Sequence, residues 1–136
     1  DGIFYFYFIN TGVPHVIVFE DSIDDFPVEK IGREIREHDH FKPEGTNVNF
    51  VHIERKNTIR VRTYERGVEA ETLACGTGST ASAIISTLIG KCVSPVTVKT
   101  RGNHILTISF DISRYEVKNV FLKGEVLCTF EGTIMV

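Results

Sequence analysis

The sequence predicts an α+β fold, one β-rich domain wrapped around a central uncharged helix. Three observations carry that expectation. No charged residue occurs between Glu71 and Lys91, and a helix without a charged face is one enclosed on all sides. Around that run lie short apolar or alternating segments bounded by glycine, proline and asparagine, as strands and tight turns are. No linker, repeat or low-complexity stretch divides the 136 residues, a length that suits one domain with a real core.

The elements follow in order. The aromatic-rich Ile3–Ile9 and the apolar His15–Phe19 flank the turn Asn10-Thr11-Gly12-Val13-Pro14, and both read as buried strands. Asp24-Asp25 as acidic cap candidates, Pro27, and Val28, Ile31 and Ile35 at helical spacing predict an amphipathic surface helix. Its basic-rich end reaches His38 and His40 before Lys42-Pro43-Glu44-Gly45 breaks the chain. Thr46–Glu54 and Thr58–Glu65, joined by Arg55-Lys56-Asn57, read as an antiparallel hairpin. In its second strand Ile59, Val61 and Thr63 alternate with Arg60, Arg62 and Tyr64, the pattern of a half-solvated sheet. The central helix is expected over Gly78–Ile89, with an apolar stripe of Ala81, Ile84, Ile85, Leu88 and Ile89, and Gly90 as its stop. Val96–Thr100 and Ile105–Phe110 flank Arg101-Gly102-Asn103-His104 as a second hairpin, and Asn119–Phe130 and Thr133–Val136 add one or two strands.

Composition narrows the function. Fifteen basic and eighteen acidic side chains give a net charge of -3 with no basic stripe, which argues against a nucleic-acid partner. The three cysteines are widely spaced and lack a CxxC pattern, so a disulfide framework or a metal site is not expected and a reducing compartment is. Thr72–Gly90 holds four threonines, three serines and three glycines, too polar for a membrane span. Asp1-Gly2 runs into a strand-like segment without a charged leader, so no signal peptide and a cytoplasmic location are expected. The absence of a first methionine suggests that sequence upstream is missing.

The stretch Tyr64-Glu65-Arg66-Gly67-Val68-Glu69-Ala70-Glu71-Thr72-Leu73-Ala74-Cys75-Gly76-Thr77-Gly78-Ser79 carries the chemistry. It sets Cys75 in a glycine-rich turn where a helix begins. Unpaired N–H groups and the positive end of the helix dipole there favour thiolate, and can also cradle a carboxylate. A free cysteine is ordinarily an inert, buried apolar residue; the glycines, the helix start and the Glu65-Arg66 pair favour the reactive reading. Glu65 could hydrogen-bond the Cys75 thiol and tune its proton affinity, or be a solvated strand end. Arg66 could clamp a ligand carboxylate, or pair with Glu69 or Glu71. His15 could serve a site or simply be packed. Asn47 and Asn49 share one strand face, where asparagine is disfavoured, and suggest a polar site or a hairpin end. Cys92 and Cys128 read as structural, buried cysteines, and Glu37, His38, Asp39 and His40 as a solvated face without zinc-ligand spacing.

Thr11-Gly12-Val13-Pro14-His15, Gly45-Thr46-Asn47-Val48-Asn49-Phe50, Arg62-Thr63-Tyr64-Glu65-Arg66-Gly67 and Ala74-Cys75-Gly76-Thr77-Gly78 resemble, in order and spacing, the successive motifs of the diaminopimelate epimerase family. The resemblance covers essentially the whole chain but only the second half of that enzyme. It implies a mixed β-sheet curled into a barrel around the helix, with about residues 130–136 crossing to the absent N-terminal half. It also implies cofactor-independent interconversion of L,L- and meso-diaminopimelate, on the route to lysine and peptidoglycan, by two cysteines on opposite faces of the α-carbon.

By the same resemblance Cys75 is the acid/base of this half, Glu65 its tuning residue, and His15 the histidine serving the other cysteine. Asn47 and Arg66 match residues that bind the distal end of the substrate, and Gly76 and Thr77 the donors at the reacting carboxylate. Where many members have asparagine before the Pro-His pair this chain has Val13, with Asn10 as a speculative substitute. The partners implied are diaminopimelate and the half carrying the second cysteine, with a homodimer as a further expectation. A proline or hydroxyproline racemase relative, a catalytically silent carboxylate-binding half and a cysteine hydrolase are the competing readings.

Overall fold

Side-chain alternation along the central strands fixes the architecture. In the computed structural model, which describes residues 4–114 and 116–136, β1 (Tyr7–Asn10), β2 (Pro14–Phe19), β3 (Asn47–Arg55), β4 (Thr58–Glu65), β5 (Ala70–Thr72), β6 (Val96–Thr100), β7 (Ile105–Ser113) and β8 (Glu116–Lys123) form one sheet. Their order is β1-β2-β3-β4-β6-β7-β8, with β5 paired to β4. The sheet is mixed: β2–β3 and β4–β6 are parallel, and the other pairs are antiparallel. Each parallel pair is joined by a crossover that carries a helix, as parallel strands require. These helices are α1 (Val28–Arg36) after β2 and α2 (Gly76–Leu88) before β6.

Successive residues of a strand point to opposite faces. Val16, Val18, Val48, Phe50 and Tyr64 face α1, where Ile31 and Ile35 pack on them. Ile17, Val51, Ile59 and Val61 face the other way, towards Ala81, Ile84 and Ile85 of α2. The sheet curls so that α2 contacts β1, β2, β3, β4, β6 and β7, as a helix lacking a charged face requires. The curl remains open, with β1 and β8 as its edges among the described residues.

Several expectations need correcting. Residues 1–3 lie outside the described residues, so Ile3 of the expected first strand is not placed. The rest of that run is not buried: Tyr5 is 87% exposed, and Phe6, Tyr7 and Phe8 are also exposed, because β1 is an edge strand paired only to β2. The second face of β4 is not simply solvated. Tyr64 is buried beneath α1, and Gly32 makes this possible, since a Cβ there would overlap the Tyr64 side chain.

Helix boundaries shift as well. Pro27 is the N-cap of α1, without a side-chain cap; Asp24 instead pairs with Arg60. His38 and His40 fall outside α1, in and beside an exposed 3₁₀ turn, Asp39–Phe41. The α2 helix begins at Gly76 rather than Gly78, and Leu88 is half exposed. The last expected strands contract to β8: residues 124–136 carry no strand, and Cys128 is exposed while Cys92 is buried.

Candidate active site at the start of the central helix

Cys75 is the N-cap of α2, with extended backbone (φ -131°, ψ 112°), and is 9% exposed. Its sulfur accepts a hydrogen bond from Gly78 N–H at 3.4 Å and lies 3.6 Å from Thr77 Oγ1. A cysteine side chain thus takes the capping place usually held by serine, threonine or aspartate. Gly76 and Thr77 are exposed, and the first intrahelical bond runs from Ser79 N–H to Cys75 C=O at 2.9 Å. Gly76 and Thr77 thus bring their backbone N–H groups to the surface at the helix start, and the first turn holds no acidic residue, an arrangement suited to a carboxylate. Thr11 Oγ1 donates to the Thr77 carbonyl at 3.3 Å, tying the β1–β2 turn to the helix start.

Beneath this turn the sheet is polar. His15 and Asn49 are fully buried and Thr63 nearly so, on the face that meets α2. Thr63 Oγ1 donates to Asn49 Oδ1 at 2.9 Å, and Asn49 Nδ2 lies 3.0 Å from the Val16 carbonyl and 3.1 Å from His15 Nδ1. Burial, reinforced by the positive charge of Arg66, lowers the His15 pKa to about 4. The ring is therefore neutral near pH 7. His15 Nε2 is buried with no hydrogen-bond partner among the described residues. Gly78 is required where α2 crosses this row, because a Cβ there would overlap Asn49 Oδ1 and come within 3.2 Å of the Cys75 sulfur.

The remaining candidates separate. Asn47 is buried, with Nδ2 donating to the Pro14 carbonyl at 3.1 Å and Oδ1 accepting from Arg66 N–H at 2.8 Å. It holds the β1–β2 turn to the end of β4. Glu65 ends β4, where alternation puts it on the same face as Thr63, and no hydrogen bond joins it to Cys75 among the described residues. Arg66 pairs with neither Glu69 nor Glu71: Glu69 holds Arg36 at 2.9 Å, and Glu71 takes Arg62 through two bonds of 2.7 Å. Arg66 Nη1 donates to the Glu44 carbonyl at 2.9 Å, and its guanidinium meets no carboxylate among the described residues. It lines an open cleft of about 660 Å³ together with Asn10, Val13, Pro14 and Glu44. Asn10 Oδ1 accepts from Gly12 N–H at 2.9 Å, and Cys75 lies outside this cleft.

Sequence reasoning missed Thr63 and Thr11. A threonine in a strand or a turn carries no signal by itself; both matter only through partners far along the chain.

Comparison with known proteins adds the following. A family model described as diaminopimelate epimerase matches residues 7–126. The diaminopimelate epimerase of Aquifex aeolicus is 54% identical over 93% of this chain and 45% of its own length. That of Hydrogenobaculum sp. is 46% identical over 98% of this chain and 47% of its own length. The chain thus spans about half the length of these curated relatives. Among solved structures, a phenazine biosynthesis protein of the PhzF family from Enterococcus faecalis aligns with a TM-score of 0.51 at 13% identity, covering 71% of this chain and 34% of that one. A PhzC/PhzF protein from Clostridium difficile aligns with a TM-score of 0.53 at 20% identity, covering 78% and 39%. These two likenesses concern the fold alone.

Proposed function

This chain belongs to the diaminopimelate epimerase family, and on that premise we propose that it supplies one of two acid/base thiols, Cys75, that invert the α-carbon of diaminopimelate. The observation that carries the reading is the position of Cys75. A sulfur capping α2 and bonded to Gly78 N–H stands beside exposed N–H groups that can hold the carboxylate next to the reacting carbon.

The step balances as a proton exchange. Thiolate at one face takes the α-proton, so that an S–H bond forms as the C–H bond breaks. The electron pair moves into the carboxylate, giving an enediolate-like dianion. The opposite thiol then delivers its proton to the other face and is left as thiolate. An α-proton beside a carboxylate is very weakly acidic, so the barrier is set by how well the dianion is held. Preorganised backbone donors out of bulk water hold it better than water does. Gly76 and Thr77 are the proposed donors.

Glu65, on the same sheet face, is proposed to reach the thiol once substrate is present. His15 is proposed to donate through Nε2, Arg66 to clamp the distal carboxylate, and Asn47 to place Arg66 through its backbone N–H. The second thiol is proposed to come from the part of the protein that corresponds to the remaining length of the relatives. The location proposed is cytoplasmic, where thiols stay reduced.

The test is proton exchange at the α-carbon of diaminopimelate in heavy water, catalysed by the full-length protein. Cys75→Ala should reduce the rate by about 10²- to 10⁴-fold, as loss of a positioned acid/base does. Cys92→Ala and Cys128→Ala should leave the chemistry largely intact. Exchange retained in a folded Cys75→Ala variant would overturn the assignment.

A further inference from the structure

We propose that Asn49 is a positioning residue that holds His15 in a single neutral tautomer, protonated on Nε2, and couples that ring to the Cys75 turn; this rests on reading the site as a proton-transfer centre. Asn49 is fully buried on β3, between His15 and the first turn of α2. Its orientation is decided by chemistry. The Val16 carbonyl, 3.0 Å from Nδ2, can only accept, so the amide must present its NH₂ group there. A flipped amide would set two oxygens against each other. Thr63 Oγ1, at 2.9 Å, completes the arrangement by donating to Oδ1.

The same NH₂ group lies 3.1 Å from His15 Nδ1. Nδ1 therefore receives a hydrogen bond and carries no proton. In a neutral imidazole the proton then sits on Nε2, since one ring nitrogen donates and the other accepts. Protonating Nδ1 as well would set N–H against N–H in a fully buried place. Nε2–H is left as a donor without a partner among the described residues. Buried donors are nearly always satisfied, so Nε2–H is a donor available to a group outside the described residues.

The coupling to Cys75 is steric. Asn49 Oδ1 lies so close to Gly78 that only glycine fits there, and Gly78 N–H is the donor to the Cys75 sulfur. The amide that sets the ring tautomer therefore also sets the height of the helix start above the sheet.

The experiment is ¹⁵N NMR of the histidine ring nitrogens in the full-length protein near pH 7, with His15 assigned by its loss in His15→Gln. Nδ1 is expected to show the shift of an unprotonated nitrogen and Nε2 that of a protonated one. The reverse pattern, or shifts averaged between tautomers, would overturn the proposal. In Asn49→Ala the ring should become a tautomer mixture, and kcat should fall by about tenfold or more while KM changes less. Unchanged shifts and kcat in a folded Asn49→Ala protein would also overturn it. If that variant does not fold, the wild-type shifts alone decide. Failure of the epimerase reading is seen separately, in the Cys75→Ala exchange experiment, because the ring shifts are read without turnover.

Discussion

At the scale of single residues, His15 makes the site sensitive to acid. Its pKa is about 4 in the folded chain, against about 6.5 for an exposed histidine. Between those values the unfolded state binds more protons than the folded one. Stability is therefore complete above about pH 6.5 and is lost as pH falls towards about 4, by roughly 3 kcal/mol from this one ring. Urea unfolding of the full-length protein should show a midpoint that drops through that window. His15→Gln should flatten the drop. Equal slopes in the two proteins would mean that the ring is charged, or solvated, in the native state. Cys92, buried in the core that faces α2, offers a contrast: burial pushes its thiol pKa up, more than a backbone hydrogen bond at Asn57 pulls it down. The reactivity proposed for Cys75 therefore rests on its place at a helix start, not on residue type.

At the scale of elements, two glycines set how closely each helix approaches the sheet. A Cβ at Gly32 would overlap the Tyr64 side chain, and one at Gly78 would overlap Asn49 Oδ1. Each alanine substitution should destabilise the protein by about 1–3 kcal/mol, the usual cost of overpacking. The consequences should differ. Gly32→Ala strains a purely structural contact and should leave the pH dependence of kcat alone. Gly78→Ala pushes on the amide beside His15 and on the Cys75 sulfur, and should lower kcat. Equal effects of both on kcat would break this distinction.

These contacts also mark what could be read in the sequence. The uncharged run from Thr72 to Gly90 announced α2 and its enclosure, and the Ala74–Gly78 motif announced a helix start nearby, though placed two residues late, because both are local properties of the chain. The β3–β4 hairpin was legible for the same reason, in alternation and an Arg55-Lys56-Asn57 turn whose Asn57 has φ of 57°. The exposure of β1 was not, since an aromatic run looks alike whether its outer edge is paired or open. Nor was the choice Glu69 makes of Arg36, or Glu71 of Arg62, because each pairing depends on how two distant segments meet. The Asn49–His15–Thr63 row was half visible: two asparagines on a strand face signalled a polar site, while their partners lie 34 and 14 residues away.

At the scale of the whole molecule, the proposed site is one-sided, and the sheet, covered on both faces, has open edges at β1 and β8 among the described residues. Cys75 is the one base proposed for this chain, and the proposed inversion needs a second on the opposite face of the carbon. Cys75 is not among the residues that line the Arg66 cleft, so a ligand held by both would extend beyond that cleft. The apolar surface tells the same story. Leu127, Phe130, Ile134 and Met135, in the segment that follows the edge strand β8, are each at least 83% exposed, and the aromatic run leading into β1 precedes the other edge strand. Exposed apolar side chains and unpaired strand edges seek a covering surface. The 136-residue chain produced alone should therefore self-associate, as read by light scattering, and should not epimerise diaminopimelate. Adding the separately produced remainder of the full-length protein should suppress the association and restore α-proton exchange together, because one surface does both jobs. A monomeric, active 136-residue chain would sink the two-half reading. Restored exchange without loss of self-association would show instead that the exposed apolar segment serves a different contact from the one that completes the site.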